Sequence, residues 1–313
     1  MPVIALDLGG TKLATALVSD DARILFTETT PLQKREGPEV GALVSSQSKK
    51  FVTIAEQDNL SVSSLGICVP GIFHAKTGTV WAPNIRGWED YPLLDELKKE
   101  LPEIKIRIDS DRACFILGEV WKGNARGCHD VIFLLVGTGI GAGIICNNQV
   151  LRGAQDIAGA IGWMGLNRPF EEKFIQCGCF EYHASGEGIA RVASERIGSI
   201  EFSESKLAAL SQSITAKDVF EAYANNDPLA VSVINNAIAY WGMAVANLVS
   251  LFNPEKIIFG GGVFGPALQF LDQIYTEAKK WAQPISIQHV ELVGSALGND
   301  AGLLGAGYLA LTD

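Results

Sequence analysis

The sequence predicts an α/β fold divided into two domains. Its 313 residues exceed the usual length of a single domain, and length alone therefore favours two. Short apolar runs typical of strands alternate with longer stretches of helical spacing. A strand that runs into a glycine turn and a second strand begins at residue 3, and the same scheme begins again at residue 131. Because the scheme occurs twice, each occurrence is expected to open one domain.

The most informative stretch lies between residues 131 and 164. An apolar run at 131–136 predicts a buried strand, and glycines then occupy every second position from Gly137 to Gly143. A second apolar run, 144–146, ends at a pair of asparagines that indicate a turn. Glycine lets a backbone approach a ligand closely, and exposed N–H groups on such a turn suit phosphate oxygens. Taken alone, the motif is equally consistent with a hairpin that has only a packing role.

Two further glycine turns follow strand-like runs near the ends of the chain. The first, DLGGTK at 7–12, places an acid at the end of its strand, and the last is GGG at 260–262. None of the turns has the spacing of a P-loop, and none combines G-x-G-x-x-G with a ribose-binding acid in a βαβ unit. Three such turns, each after a β-rich run, favour phosphate binding over packing alone.

The remaining elements follow from apolar periodicity and from turn and cap signals. The pattern of residues 3–30 predicts a β-meander around the first glycine turn. Apolar and polar residues alternate over 104–108, which predicts a strand with the acids of 109–111 at its end. The other predicted elements are helices at 37–57, 90–101, 112–126, 185–197, 228–252, 266–282 and 300–311, short helices within 206–224, strands at 64–69 and 287–292, a loop at 76–88 and an irregular segment at 166–176.

Composition and charge argue against several classes of protein. Acidic residues outnumber basic ones by 35 to 25, the net charge is −10, and no cluster of five or more Lys and Arg occurs, which argues against a nucleic-acid surface. The most apolar helix, 237–252, is interrupted by Asn247 and Ser250 and is shorter than a membrane span. No signal peptide is visible, and the cysteines lie mostly in apolar strands or helices, so a cytoplasmic location is expected.

Together the motifs resemble those of the ROK family of sugar kinases, in the actin-like ATPase superfamily. The similarity runs in order along essentially the whole chain. The motifs that carry it are DLGGTK (7–12), VPG (69–71), APN (82–84), DSD (109–111), GTGIGAG (137–143), RGA with AG, IG and M (152–164), GCFE (178–181), NPE with GGG (253–262) and GNDAGLLGAGYLAL (298–311).

The resemblance implies two RNase-H-like domains with a cleft between them. The smaller N-terminal domain is expected to contain 1–115 and 296–313, and the larger C-terminal domain 116–295, with hinges near 109–125 and 295. ATP and Mg²⁺ are the implied cofactors. A small carbohydrate is the implied substrate, and a homodimer is the implied assembly.

Asp111 is the best candidate for a catalytic residue. Phosphoryl transfer to an alcohol needs a carboxylate that accepts the hydroxyl proton, and the rest of catalysis is positioning and charge stabilisation. Asp111 lies where a strand is expected to end and a helix to begin, and by resemblance it occupies the family's general-base position. The alternative is an aspartate that only caps the helix.

A second group of residues is expected to bind the nucleotide and its metal. Asp7 is suited to hold Mg²⁺ through water, while Thr138 offers an N–H and a hydroxyl group to the γ-phosphate. Lys12 is also consistent with a solvated turn residue, and Gly260–Gly262 with a tight strand-to-helix turn. The predicted ATP- and phosphate-binding residues are Asp7, Gly9, Gly10, Thr11, Lys12, Gly137, Thr138, Gly139, Gly260, Gly261 and Gly262.

The predicted acceptor pocket departs from the family pattern. Ser110 stands in place of an asparagine, and Ala160 and Trp163 stand in place of a glutamate and a histidine. Two hydrogen-bonding side chains have thus become a methyl group and an indole, and an acceptor other than plain glucose is expected. Trp163 is also consistent with a core residue. The predicted substrate-binding residues are Gly71, Asn84, Ser110, Asp111, Ala160, Trp163 and Glu181.

The family's structural zinc is not expected in this chain. Its histidine position is Trp163 and two of its cysteine positions are Glu172 and Phe174, whereas only Cys179 matches and Cys177 is extra. Two rival functions stay open beside a kinase. A non-catalytic carbohydrate sensor is favoured by the altered pocket, and a ROK transcriptional repressor is opposed by the acidic charge and by the lack of room for a helix-turn-helix domain before the first glycine turn.

Overall fold

The computed structural model describes residues 1–209 and 213–312, and within them the chain forms two compact units. The first contains 1–127, 150–158 and the segment from 295 onward, and the second contains 128–149 and 159–294. Segments 116–127 and 150–158 therefore pack with the first unit, whereas the predicted boundary at 116 assigned them to the second domain. The predicted domain limits stay a prediction.

The helices and strands alternate as expected for an α/β protein. The short helices predicted within 206–224 fall partly on 210–212, outside the described residues. The strands are β1 (Val3–Leu8), β2 (Lys12–Val18), β3 (Ile24–Pro31), β4 (Ser64–Val69), β5 (Ile72–His74), β6 (Thr79–Trp81), β7 (Lys105–Ser110), β8 (Val131–Val136), β9 (Ile140–Cys146), β10 (Gln149–Val150), β11 (Lys256–Gly260) and β12 (Glu291–Gly294). The α-helices are α1 (Pro38–Gln57), α2 (Leu93–Glu100), α3 (Asp111–Lys122), α4 (Cys179–Ala184), α5 (Gly186–Arg196), α6 (Ala216–Ala224), α7 (Pro228–Phe252), α8 (Leu271–Ala278) and α9 (Ala301–Leu311).

The first unit is built on a five-stranded sheet in the order β3-β2-β1-β4-β7. β1 pairs antiparallel with β2, as the predicted meander requires, and β4 runs parallel to both β1 and β7. Successive residues of a strand point to opposite faces. In β1, Ile4 and Leu6 join a core with α1 and α2, whereas Val3 and Ala5 join a second core with α3 and α9. Both faces of this sheet are therefore covered by helices.

Glycines set the distance between α9 and its neighbours. A Cβ atom on Gly66 of β4 would lie 1.9 Å from the carbonyl oxygen of Ala306, and one on Gly305 would lie 1.7 Å from that of Cys114. Both distances are far below van der Waals contact, so only glycine permits this packing. The C-terminal helix is thereby held directly on β4 and α3.

The second unit contains the other five-stranded sheet, in the order β10-β9-β8-β11-β12. β8 and β9 form the antiparallel hairpin that the glycine-rich stretch predicted, and β11 runs parallel to β8 and β12. Helix α7 begins at a cap formed by Asp227 and crosses the core. It is long and apolar enough to span a membrane by length and composition, but 67% of its apolar window is buried inside the protein, as in an ordinary core helix.

Three local predictions were wrong. The loop predicted at 76–88 contains β6, which pairs with β5 in a small hairpin. The helix predicted at 266–282 begins as a 3₁₀ turn, Pro266–Phe270, before it continues as α8. The strand predicted at 287–292 begins later, because pairing with β11 aligns Glu291 with Lys256. In the last case a partner strand, and not local apolar spacing, decides where the element lies.

A buried carboxylate ties α3 to the segment that leads into α9. Glu119 is fully buried. Its Oε1 atom accepts hydrogen bonds from Ser295 Oγ at 2.6 Å and from the N–H groups of Ala296 at 3.0 Å and Leu297 at 3.3 Å. Its Oε2 atom accepts from the N–H of Asn124 at 2.7 Å. Both oxygens are thus occupied by donors, as a buried charge requires.

We predict that Glu119→Gln lowers the free energy of unfolding by about 1–3 kcal/mol. The glutamine places an NH₂ group where Glu119 has an acceptor oxygen, so this group faces other donors and a buried N–H is left without an acceptor. Urea denaturation measures the difference. Glu255→Gln is the matched control, since exposed Glu255 also accepts from the N–H groups of His129 and Asp130, but water can take over its bonds. Equal losses in the two variants would contradict this role of Glu119.

Candidate active site

The parallel strands of the first unit bring three of the predicted segments to one edge of the sheet. Asp7 of β1, Cys68 of β4 and Asp109 of β7 are register partners across adjacent strands. The first glycine turn follows β1, Pro70-Gly71 follows β4, and Ser110-Asp111 closes β7 and opens α3. Ligands of open α/β sheets bind at the carboxyl ends of such strands. The sheet therefore brings together the residues of this unit that are predicted to bind phosphate and the acceptor.

Asp111 is free of the capping role that was its alternative interpretation. Ser110 caps α3 instead, its side chain accepting a hydrogen bond from the N–H of Ala113 at 3.4 Å. Asp111 is the first residue of the helix, and its Oδ1 atom accepts from the N–H of Arg112 at 2.8 Å. The interpretation of Asp111 as a helix cap is therefore wrong.

Two half-buried carboxylates with raised pKa values mark this edge. Burial raises the pKa of Asp111 to about 6, an effect that the charge of Arg112 reduces and the charge of Asp7 increases. Burial also raises the pKa of Asp7, against the lowering effects of a hydrogen bond from Cys68 and the charge of Lys12. Perturbed carboxylates at strand ends are typical of catalytic and metal-binding sites.

Backbone geometry explains one of the predicted glycines, Gly71, and places another, Gly10, close to the APN loop. Gly71 adopts φ +91°, and a Cβ atom there would lie 2.2 Å from the carbonyl oxygen of Trp81. Gly10 lies in the exposed first turn, where a Cβ atom would reach 3.4 Å from the Cβ of Asn84. The APN loop thus approaches the first glycine turn, and Thr11 and Lys12 are exposed beside it.

The second unit supplies a cavity next to its glycine turn. The N–H of Gly186, at the start of α5, donates to the carbonyl of Gly137 at 2.8 Å, and Thr138 is exposed at the tip. An open cavity of ≈ 1030 Å³ adjoins the turn, with apolar walls that include Phe220, Val263 and Pro266. Its polar lining residues include Glu187, Lys217, Glu221 and Gln269. Apolar walls with a few polar groups suit a nucleoside.

The three glycines at 260–262, where β11 ends, have different surroundings. Gly262 lines this cavity together with Gly137 and Thr138. A Cβ atom on Gly260 would lie 2.3 Å from the ring of Phe133, and one on Gly261 would lie 2.4 Å from the carbonyl oxygen of Val136. Glycine is therefore required at 260 and 261 for packing, and Gly262 is the one that faces the open space.

Glu181 joins the glycine turn to the segment that contains Ala160 and Trp163. Its Oε2 atom accepts a hydrogen bond from the N–H of Ile140 at 2.7 Å, and burial raises its pKa. A Cβ atom on Gly139 or Gly162 would lie 2.7 or 2.9 Å from that oxygen. Ala160 is half-buried, whereas Trp163 is 58% exposed. The interpretation of Trp163 as a core residue is therefore wrong.

Comparisons with known proteins identify the family. A model described as "ROK family" matches residues 3–313. The chain is 34% identical to a glucokinase of Halalkalibacterium halodurans, over 98% of this chain and 94% of that protein. It is 26% identical to an N-acetyl-D-glucosamine kinase of Haemophilus influenzae, over 98% of each. A solved ROK family glucokinase from Streptomyces griseus, in complex with glucose and AMPPNP, aligns with TM-score 0.76 and 30% identity over 99% of each chain.

The chain belongs to the ROK family. The resemblance stated from the motifs is thereby confirmed, as is the α/β fold of actin-like type. The relatives are named as sugar kinases, which confirms the predicted enzyme class at that level.

An aromatic cluster occupies the segment of this ROK chain that would correspond to the family's structural zinc site. The ring of His183 stacks on Tyr240 at 4.5 Å and meets Phe174 edge-on at 5.5 Å. Burial lowers the pKa of His183 to about 4, and neither ring nitrogen has a hydrogen-bond partner. Among residues 1–209 and 213–312, no group of three or more His, Cys, Asp and Glu side chains could hold a metal ion. The expectation of no structural zinc stays a prediction.

Two arginines beside the site were missed. Arg152 pairs with Asp109 through both Nε, at 3.0 Å, and a terminal nitrogen, at 2.5 Å. Arg112 donates to backbone carbonyls on two neighbouring segments. Arg112 directly follows Asp111 and Arg152 opens the RGA motif, so adjacency to named motifs was the available signal. Their partners are distant in sequence and could not be inferred from it.

Proposed function

We propose that this ROK protein is an ATP-dependent kinase that phosphorylates a hydroxyl group of a sugar or sugar-like polyol, with Asp111 as the general base. The observation that carries the proposal is the carboxylate of Asp111, which does not cap α3 and lies near Asp7. Both residues are at the edge of the sheet where the first glycine turn follows β1. The sugar-kinase relatives support the reaction class.

The cavity beside Gly137, Thr138 and Gly262 in the second unit would take the adenosine of the nucleotide. The N–H groups of the glycine turn at 137–139 would bind its phosphates, and the turn at 9–12 offers N–H groups of the same kind. Lys12 is exposed beside the first turn and carries the compensating charge. A relative solved with AMPPNP supports ATP as the donor.

Asp7 fits a magnesium site. Mg²⁺ keeps most of its water shell and needs only one or two carboxylates besides the phosphates, so a single half-buried carboxylate suffices. The raised pKa of Asp7 reflects a carboxylate whose burial lacks full compensation, which a cation would supply. When bound, Mg²⁺ would neutralise charge on the phosphates.

Asp111 would act on the acceptor. Its carboxylate accepts the proton of the reacting hydroxyl as that oxygen bonds to the γ-phosphorus and ADP leaves with the bridging oxygen. With a pKa near 6, the group is mostly ionised at neutral pH and still basic enough to take a proton. Ser110 keeps the start of α3 fixed and so aims the carboxylate.

The side chains of the predicted acceptor pocket favour a sugar other than plain glucose as the substrate. Ala160 offers a methyl group where a carboxylate would bind hydroxyls, and exposed Trp163 offers a flat apolar face on which the C–H face of a ring can pack. Glu181 is already engaged by Ile140, which leaves one of its oxygens for the acceptor. The cytoplasmic location and the homodimer are part of the proposal and rest on the family resemblance.

A carbohydrate sensor without catalysis is the second candidate, favoured by the loss of two polar side chains at Ala160 and Trp163. ADP release separates the two candidates. A sensor binds a sugar without acceptor-dependent ADP release, whereas a kinase releases ADP and yields a phosphorylated product.

We predict that, across a panel of hexoses, amino sugars, modified sugars and cyclitols, glucose does not give the highest kcat/KM. The double variant Ala160→Glu, Trp163→His is expected to gain preference for glucose by about tenfold or more, since side chains that hydrogen-bond substrate hydroxyls set such discrimination. Acceptor-dependent ADP release is the assay. This account of specificity would be contradicted if the wild type already prefers glucose and the double variant shows no increase in that preference.

We also predict an acid limb near pH 6. The reaction needs ionised Asp111, and burial raises its pKa from the ordinary value of 3.8 to about 6, so kcat/KM for the acceptor should fall as pH drops through about 6. Profiles between pH 4.5 and 8 measure it, and re-assay at pH 7.5 after acid exposure controls for unfolding. Activity that stays flat down to pH 4.5 would contradict the assignment.

A further inference from the structure

The segment 150–158 of the first unit, here called the strap, is a closed loop. It lies in sequence between two parts of the second unit, yet its contacts assign it to the first. The N–H of Ala158 donates to the carbonyl of Arg152 at 2.9 Å and closes the loop. Gly153 and Asp156 take left-handed conformations, with φ of 75° and 59°, that allow the turn. The chain leaves the strap directly into Gly159 and Ala160.

Charged side chains fasten the strap to the strand ends. At its start, Arg152 forms the two-pronged ion pair with buried Asp109, two residues before Asp111. In its middle, the Asp156 carboxylate accepts from the N–H of Ala75 at 3.1 Å. The paired guanidinium offsets the burial of Asp109, whose pKa is nonetheless raised by that burial.

Arg112 fastens the far end of the strap. One terminal nitrogen donates to the carbonyls of Ile157 at 3.4 Å and Ala158 at 3.3 Å, and the other donates to the carbonyl of Gly71 at 3.3 Å. The planar fork of an arginine can hold two segments at once in this way, whereas a lysine offers a single point of charge. Arg112 therefore bridges the Gly71 turn and the end of the strap.

We propose that Arg112 is a positioning residue for the phosphoryl acceptor, because its guanidinium joins the Gly71 turn to the end of the strap beside Asp111. The inference rests on the proposed kinase function. Gly71 belongs to the predicted acceptor pocket, and the strap leads into Ala160 and Trp163. A rigid pocket wall beside Asp111 would hold the acceptor hydroxyl in line with its carboxylate. Small displacements of reacting groups lower the reaction rate strongly.

The test compares Arg112→Gln, Arg112→Lys and Arg196→Gln with the wild type. Arg196 is the matched control, a half-buried arginine that donates to Ser232 at 3.0 Å in the second unit. Steady-state kinetics are measured for ATP and for the best acceptor, and thermal unfolding checks each variant. If the glutamine variant fails to fold, the lysine variant carries the comparison.

Arg112→Gln is expected to raise KM for the acceptor by about tenfold or more, while KM for ATP stays within about twofold. Arg112→Lys is expected to keep most of that defect, because it restores the charge but not the fork. Arg196→Gln should leave both KM values near wild type. A general structural defect would instead change both KM values together.

Wild-type KM for the acceptor in Arg112→Gln would overturn the inference, as would full rescue by lysine. These outcomes are distinct from failure of the proposed function. If the wild type phosphorylates no acceptor on the panel, the kinase proposal itself fails. If the wild type is active and the Arg112 variants match it, only the positioning role is lost.

Discussion

The parallel alignment of β1, β4 and β7 is the constraint on which the rest of the site depends. It sets Asp7, Cys68 and Asp109 in one register and brings the segments that follow the strands to one edge of the sheet. Helix α9 covers one face of these strands and lies directly on β4 and α3, which Gly66 and Gly305 respectively permit. A larger residue at Gly66 would push the C-terminal helix away from β4, and one at Gly305 would push it away from α3, the helix that Asp111 opens.

Burying carboxylates in the first unit costs free energy, and the protein offsets the cost unequally. Asp109 is paired with Arg152, and Glu119 has donors on both oxygens. Asp111 accepts from the backbone N–H of Arg112 and lies near the charge of Arg112, yet burial still raises its pKa to about 6. The carboxylates that hold the structure are satisfied, whereas the proposed base and the proposed metal ligand, Asp7, are not.

Local sequence patterns sufficed for most of the framework. The meander, the glycine hairpin of β8 and β9, and the strand that ends at Ser110 follow from apolar runs and turn residues. The sequence left two roles open for Asp111, and only the hydrogen bond from Ala113 to Ser110 assigned the cap. Trp163 was ambiguous in the same way, since exposure depends on what packs against a residue.

Features that depend on distant partners could not be predicted. The position of β12 is set by β11, the Asp109–Arg152 pair spans 43 residues of sequence, and Arg112 bonds to carbonyls 41 to 46 residues away. In each case the local residue pattern was compatible with several partners. Tertiary contacts selected one.

The most direct measurement of the central claim is phosphoryl transfer by Asp111→Asn together with its affinity for ATP. The account predicts a kcat lowered by at least about 100-fold, the usual scale for loss of a general base, with ATP binding close to wild type by calorimetry. Asp90→Asn, at an exposed position after the APN loop, is the control. Wild-type turnover in Asp111→Asn would contradict the account and remove Asp111 from the mechanism.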